Sequence, residues 1–234
     1  MLVEDIMSIS SHFIPLNGNQ QSLVYTPGAD TSRNEIASGP LAMGDEFIVE
    51  DKMIEEKSGI RRLIFSSNLR AIQSEMGFRV TGGKKKKKVF DFNTLYFHIH
   101  KLRAASFLTC PPLSKQPSVL ILGLGGGALP SFIHHNYPEA TIQVVDIDAQ
   151  VIKIAKEFFR LDSSIQTVEI DGLAFVEDAV GKSTYDYIMI DIDSKDSSSK
   201  TSFPPDGFLK VSFYEVIELF IIETILREGE EFAE

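Results

Sequence analysis

Three features of this 234-residue sequence predict an α/β fold, a doubly wound parallel sheet preceded by a small antiparallel β meander. From Ser118 onward, apolar runs of strand length alternate with helical stretches. A glycine cluster stands directly after the first run, and acidic residues close the runs that follow. Strands alternating with helices at this spacing pair in parallel, because each crossover helix returns the chain to the same end of the sheet.

Residues 1–43 are expected to be irregular, since Asn17 to Pro40 is rich in Gly, Pro, Asn, Gln and Ser and poor in large apolar side chains. The meander is assigned to residues 44–89. Glu46–Glu50, Arg62–Phe65 and Ala71–Ser74 have strand character and are separated by Ser58-Gly59 and Ser67-Asn68. The basic run Lys84 to Lys88 predicts a solvated loop, because like charges packed this densely repel one another. Residues 90–234 form the main domain. Leu95, Ile99, Leu102 and Phe107 recur at helical spacing between Phe90 and Leu108, and Pro111-Pro112 stops that helix.

Ser118–Leu122 is continuously apolar, as a parallel strand covered on both faces must be. The glycine loop Gly123–Gly127 leads into a helix over Ala128–Asn136. Thr141–Val145 is the second strand, and Ala149–Phe159 a helix with Val151, Ile154, Ala155 and Phe158 on one face. Gln166–Ile170, a helix over Leu173–Val180 and a strand over Tyr185–Ile190 complete the alternation.

Hydrophobic residues at 43% and charged residues at 24% are enough for a packed core and exclude disorder throughout. A formal charge of −10 disfavours a nucleic-acid partner, which needs a basic face. Cys110 stands alone, so neither an internal disulfide nor a cysteine zinc site can form. Glu4 and Asp5 occupy the place where a secretory signal is basic, and no apolar run approaches the roughly 20 residues that cross a bilayer. A cytoplasmic protein without a membrane partner is expected. His98, His100, His134 and His135 gather no matching ligand set, so no metal site is expected either.

In such a sheet ligands bind beyond the carboxyl ends of the strands. Four consecutive strand ends here carry glycine or acid. Gly123, Gly125, Gly126 and Gly127 let backbone N–H groups approach a ligand, although a tight turn alone explains such a loop equally well. Asp146 and Asp148 follow at about the 20-residue offset where a carboxylate accepts ribose hydroxyls, Asp146 being the better placed. Asp171-Gly172 closes the third strand, where the acid could read an exocyclic adenine amine or cap the next helix. Asp191 and Asp193 follow the fourth strand and could hold and deprotonate an amine.

The motifs Val119–Gly127, Val145–Asp148, Asp171-Gly172 and Tyr185–Asp191 resemble those of class I S-adenosylmethionine methyltransferases of the spermidine-synthase-like branch. Arg61–Phe65, Gln73–Glu75, the lysine-rich insert and Asp191–Asp196 are similar to the carboxyl-terminal half of the elongation factor 1-alpha lysine and N-terminal methyltransferase family, from about Asp45 to Pro205. The resemblance implies a Rossmann-like domain and S-adenosylmethionine as cofactor, with elongation factor 1-alpha as the protein substrate. It implies that the glycine loop cradles the methionine part, Asp146 holds the ribose, Asp171 reads adenine, Gln73 touches the cofactor and Asp191 lines the transfer site. Spermidine synthases carry an Asp in the glycine loop where this chain has Gly126, which argues against aminopropyl transfer.

Two other readings stay open. Gly123, Gly125 and Ala128 satisfy the G-x-G-x-x-A pattern of NAD-dependent oxidoreductases, which would not need Asp171 or Asp191. Alternatively the chain is a non-catalytic binding or homodimerisation module. The stretch from Ser194 to Glu234 is shorter than the roughly 60 residues that three strands and two helices require, so a C-terminally shortened sheet is expected, as in a naturally shortened isoform or incomplete gene product. Gly207 to Glu234 is expected to form one apolar helix with an acidic tail.

Overall fold

Two sheets share one core. The computed structural model describes residues 33–68, 72–83, 85–96, 98–109, 115–180, 182–192, 205–210 and 213. The first sheet is an antiparallel meander of β1 (Arg33–Pro40), β2 (Glu46–Glu55), β3 (Ser58–Phe65), β4 (Ile72–Thr81) and β5 (Lys87–Asp91), paired in sequence order. Val49 pairs with Leu63 and Leu63 with Ser74, so these buried residues lie on one face, where Phe47, Phe65 and Met76 join the core.

The meander differs from expectation in three places. Arg33–Pro40 is a strand and not part of an irregular segment: its composition carries no local strand signal, but pairing with β2 supplies one from outside. Lys87 and Lys88 are strand and not loop, because the Lys88 ammonium pairs with the buried Asp51 carboxylate and so escapes the repulsion within the run. Phe90 and Asp91 complete β5 instead of starting a helix. The Asp91 carboxylate accepts Asn93 N–H (3.0 Å) and the Thr94 hydroxyl (2.9 Å), a turn that delays α1 to His98–Thr109. The expected boundary at residue 90 therefore falls inside β5.

The second sheet is parallel, in the order β8-β7-β6-β9, with β6 (Ser118–Leu122), β7 (Thr141–Asp146), β8 (Gln166–Glu169) and β9 (Tyr187–Ile190). The connecting helices are α2 (Ala128–Asn136), α3 (Ala149–Phe158) and α4 (Gly172–Ala179). Val119 and Ile121 face a core shared with α1, α2, α3 and the meander, while Leu120 and Leu122 face α4, Tyr185 and Phe208. This period-two division is why β6 is apolar throughout. The chain steps outward through β7 and β8, then returns to the other side of β6 as β9, which puts a topological switch point above β6.

Polar contacts fasten the meander to the parallel layer. Arg61 grips Asp51 with Nε and Nη2 (2.7 and 2.8 Å) and donates Nη1 to the carbonyl of Phe158 at the end of α3 (2.7 Å). The expected C-terminal helix lies outside the described residues, apart from a short 3-10 turn at Asp206–Leu209 and Phe213.

Candidate functional site at the strand ends

Gly123 leaves β6 with φ 96°, in the left-handed region, and a Cβ there would collide with the carbonyl oxygen of Asp191. Only glycine allows the loops after β6 and β9 to approach this closely. β4 crosses the loop from the meander side. A Cβ on Gly125 would lie 3.2 Å from the Gln73 carbonyl oxygen, and one on Gly126 would lie 2.9 Å from Ser74 Cβ and 3.0 Å from the Phe159 ring. The Gln73 backbone thus lies against the glycine loop, and position 126 has no room for an aspartate. Gly127 caps α2 in the left-handed conformation. Among the described residues the N–H groups of Gly125 and Gly126 meet no acceptor, and Ser74 Oγ, fully buried beside Gly126, has no hydrogen-bond partner.

Asp146 organises the loop's other side. Its Oδ2 accepts Leu124 N–H (2.9 Å) and its Oδ1 accepts Asp148 N–H (3.0 Å). Asp148 does not join this site. It is 2% exposed, its Oδ1 caps α3 through Gln150 N–H (2.8 Å), and its Oδ2 accepts Ala42 N–H from the meander (2.9 Å). The expectation that it binds a cofactor is therefore corrected: burial and two backbone donors make it a clamp between the sheets.

Asp171 is exposed and caps α4, its Oδ1 accepting Leu173 and Ala174 N–H (both 3.0 Å), while Oδ2 has no partner among the described residues. Capping and ligand reading are compatible here, because they use different oxygens. Gly172 is buried, and a Cβ there would meet Ile192 Cδ1 at 3.1 Å and the Phe208 ring at 3.4 Å. Its missing side chain makes room for these apolar groups. Ile147 and Ile170 are exposed by 48% and 37% directly beside Asp146 and Asp171. In the sequence the only signal for these two is an apolar residue next to a strand-end acid.

The Asp191 carboxylate is closed by α1. Its Oδ2 lies 2.8 Å from His100 Nε2, its Oδ1 accepts Arg103 Nη1 (2.6 Å), and Arg103 Nη2 also donates to the Ile190 carbonyl (2.5 Å). Burial alone would raise the Asp191 pKa, but His100 and Arg103 outweigh it and hold the group below the usual carboxylate range. A carboxylate so paired is a poor proton acceptor, contrary to the expectation for this residue. Neither His100 nor Arg103 was singled out for the site, because α1 and β9 lie far apart in sequence and no local pattern links them. Asp193 lies outside the described residues.

Residues 105–218 match the spermine/spermidine synthase domain. An eEF1A lysine and N-terminal methyltransferase homolog of Drosophila pseudoobscura pseudoobscura is 34% identical over 220 residues, covering 89% of this chain and 32% of that protein. The eEF1A lysine and N-terminal methyltransferase of Homo sapiens is 27% identical over 226 residues, covering 80% of the chain and 32% of its own length. The chain spans about a third of the length of these curated relatives. A probable spermidine synthase of Corynebacterium glutamicum ATCC 13032 superposes with a TM-score of 0.57 at 15% identity, covering 79% of this chain and 59% of that one, so the two share the fold. The chain thus has the α/β fold of the spermidine synthases and is similar in sequence to the spermine/spermidine synthase domain over residues 105–218 and, over about a third of their length, to the eEF1A lysine and N-terminal methyltransferases.

Proposed function

We propose that the chain is the methyl-transferring part of a protein methyltransferase that uses S-adenosylmethionine and acts on an amine, N-terminal or lysine, of translation elongation factor 1-alpha. The observation that carries this reading is the meeting of three strand ends at the switch point: Gly123 abuts Asp191, and Asp146 ties the loop between them. The residues present fit the cofactor. The free N–H groups of Gly125 and Gly126 and the orphaned Ser74 hydroxyl suit its methionine part, and Asp146 suits the ribose hydroxyls. Ile147 and Ile170 offer apolar contact to the adenine faces, and Asp171 Oδ2 suits its amine.

When bound, S-adenosylmethionine supplies an electrophilic methyl carbon on a sulfonium. The chain's own part is to hold a neutral amine in line with that carbon and to keep water away. Asp191, already bound to His100 and Arg103, acts as a positioning residue that holds α1 across the end of β9. The Arg103 guanidinium beside the site disfavours an ammonium and favours the neutral amine. Both this cation and the filled space at Gly126 support a protein amine over a polyamine as acceptor. The names of the homologous proteins support elongation factor 1-alpha as that acceptor, and a cytoplasmic location suits it.

Calorimetric titration with S-adenosylmethionine, with NAD as control ligand, tests the pocket. Mass spectrometry of elongation factor 1-alpha incubated with both then tests the reaction. Saturable binding of S-adenosylmethionine alone and a mass gain of one or more methyl groups are expected; preference for NAD would refute the reading. The pairing of both Asp191 oxygens also favours a second reading, a binding or dimerisation module. Cofactor binding without transfer to any protein amine, together with self-association in sedimentation, would establish it.

A further inference from the structure

The β4–β5 hairpin carries more positive charge than the fold uses. Lys88 turns inward to Asp51 and packs its ammonium over the Phe78 ring, 5.0 Å from the centroid. Lys85, Lys86 and Lys87 are exposed and make no ion pair among the described residues. Arg79, also exposed, pairs in register with Val89, and Val89 shares a face with Lys87 while being 47% exposed. The acids nearby are engaged elsewhere: Glu55 accepts the Ser58 hydroxyl (3.2 Å) and Asp91 accepts from Asn93 and Thr94. β5 is the last strand of its sheet, and among the described residues nothing pairs with its outer edge.

Lysines often blunt a sheet edge against aggregation, but they do so from within the strand. Lys87 fits that role from inside β5, but Lys85 and Lys86 stand before the strand, and exposed Val89 inside it invites contact rather than preventing it. We propose that the outer edge of β5 is a docking site for an extended acidic segment of a protein partner, added to the meander as a further strand. Main-chain hydrogen bonds to Lys87–Asp91 supply the pairing, carboxylates meet Lys85–Lys87 and Arg79, and an apolar side chain of the partner covers Val89. The charge distribution favours a short acidic segment over a nucleic acid. At physiological salt, charges beyond about 8 Å are largely screened, so a short segment feels only the hairpin. A long phosphate chain would cross the rest of a protein whose net charge is −10. This inference does not depend on the methyl-transfer reading.

The probe is a fluorescently labelled decapeptide of alternating Glu and Val, titrated against the full chain at physiological salt, with an oligouridylate of equal charge as rival ligand. Saturable peptide binding is expected, with slowed amide exchange in Lys87–Asp91. The K85E/K86E/K87E variant, altered only at exposed side chains, should bind about tenfold more weakly or worse and melt as the wild type does. Val89→Asp should weaken binding while leaving the lysines in place. Binding without slowed exchange in β5, equal binding by the triple variant, or tighter binding of the oligouridylate would each overturn the proposal.

Discussion

Asp146 at the end of β7 and Asp191 at the end of β9 flank the same central strand, yet their surroundings differ. Asp146 accepts backbone N–H groups of its own neighbourhood on both oxygens. Asp191 is taken by His100 and Arg103, which arrive from a helix about 90 residues earlier in the chain. The first arrangement is local and made with backbone; the second is non-local and made with side chains. An acid at a strand end is therefore no guide to chemistry until the element facing it is known. One side of the switch point is tied by backbone N–H groups, the other by an ion pair.

The largest expected effect lies on the closed side. Asp191→Ala leaves the Arg103 cation buried without its counter-charge and should lower stability by about 3 kcal/mol, measured by denaturant unfolding. Asp146→Ala should cost about 1 kcal/mol in the same measurement while weakening S-adenosylmethionine roughly tenfold in calorimetry. If Asp146→Ala proved the more destabilising change and Asp191→Ala the one that lost cofactor, the contrast between the two ends would be reversed. Gly126→Asp comes next, at about 2 kcal/mol, because Ser74 and Phe159 fill the space that its side chain needs. That variant should gain no affinity for putrescine; a gain would show that the loop can yield. Asp148→Ala should cost about 1 kcal/mol through the lost cap, with S-adenosylmethionine affinity unchanged once stability is matched.

The smallest effects come with acid. Folded Asp191 titrates below its unfolded value of about 3.9, so its contribution is complete above that pH and is lost as pH falls through the folded pKa. Asp45, whose slight burial is outweighed by the Ser67 and Ser66 hydroxyls and by backbone N–H groups, is lowered to about 2 and follows the same sign. Asp191→Asn should flatten the loss of stability below about pH 4, and Asp45→Asn should change it by only a few tenths of a kcal/mol because that group is largely exposed. Identical acid profiles for wild type and Asp191→Asn would break the assignment of the buried pair.

The parallel layer was legible because its signals are local. Continuous apolar runs, glycine directly after Leu122 and a helical stripe through Val151, Ile154 and Ala155 each appear within one element, and every strand and helix from Ser118 to Ile190 lies within two residues of its expected place. The meander was legible only in part, since β1 owes its conformation to β2 and Lys88 owes its place to Asp51. The candidate site divides along the same line. Gly123, Asp146 and Asp171 follow from position, whereas the diversion of Asp148 to Ala42 and of Asp191 to Arg103 depends on contacts about 90 to 106 residues apart.

Helix α3 begins on Asp148, which holds the meander through Ala42, and ends on Phe158, which receives Arg61 from β3. Both ends are thus pinned by the antiparallel sheet, and the apolar side chains of Phe47, Val49, Leu63 and Met76 sit in the cluster that also contains Val119, Ile121 and Ile154. The two sheets therefore unfold as a single cooperative unit, with no separate calorimetric peak for the meander. The meander is not a detachable accessory to the parallel sheet but half of the wall against which that sheet is built.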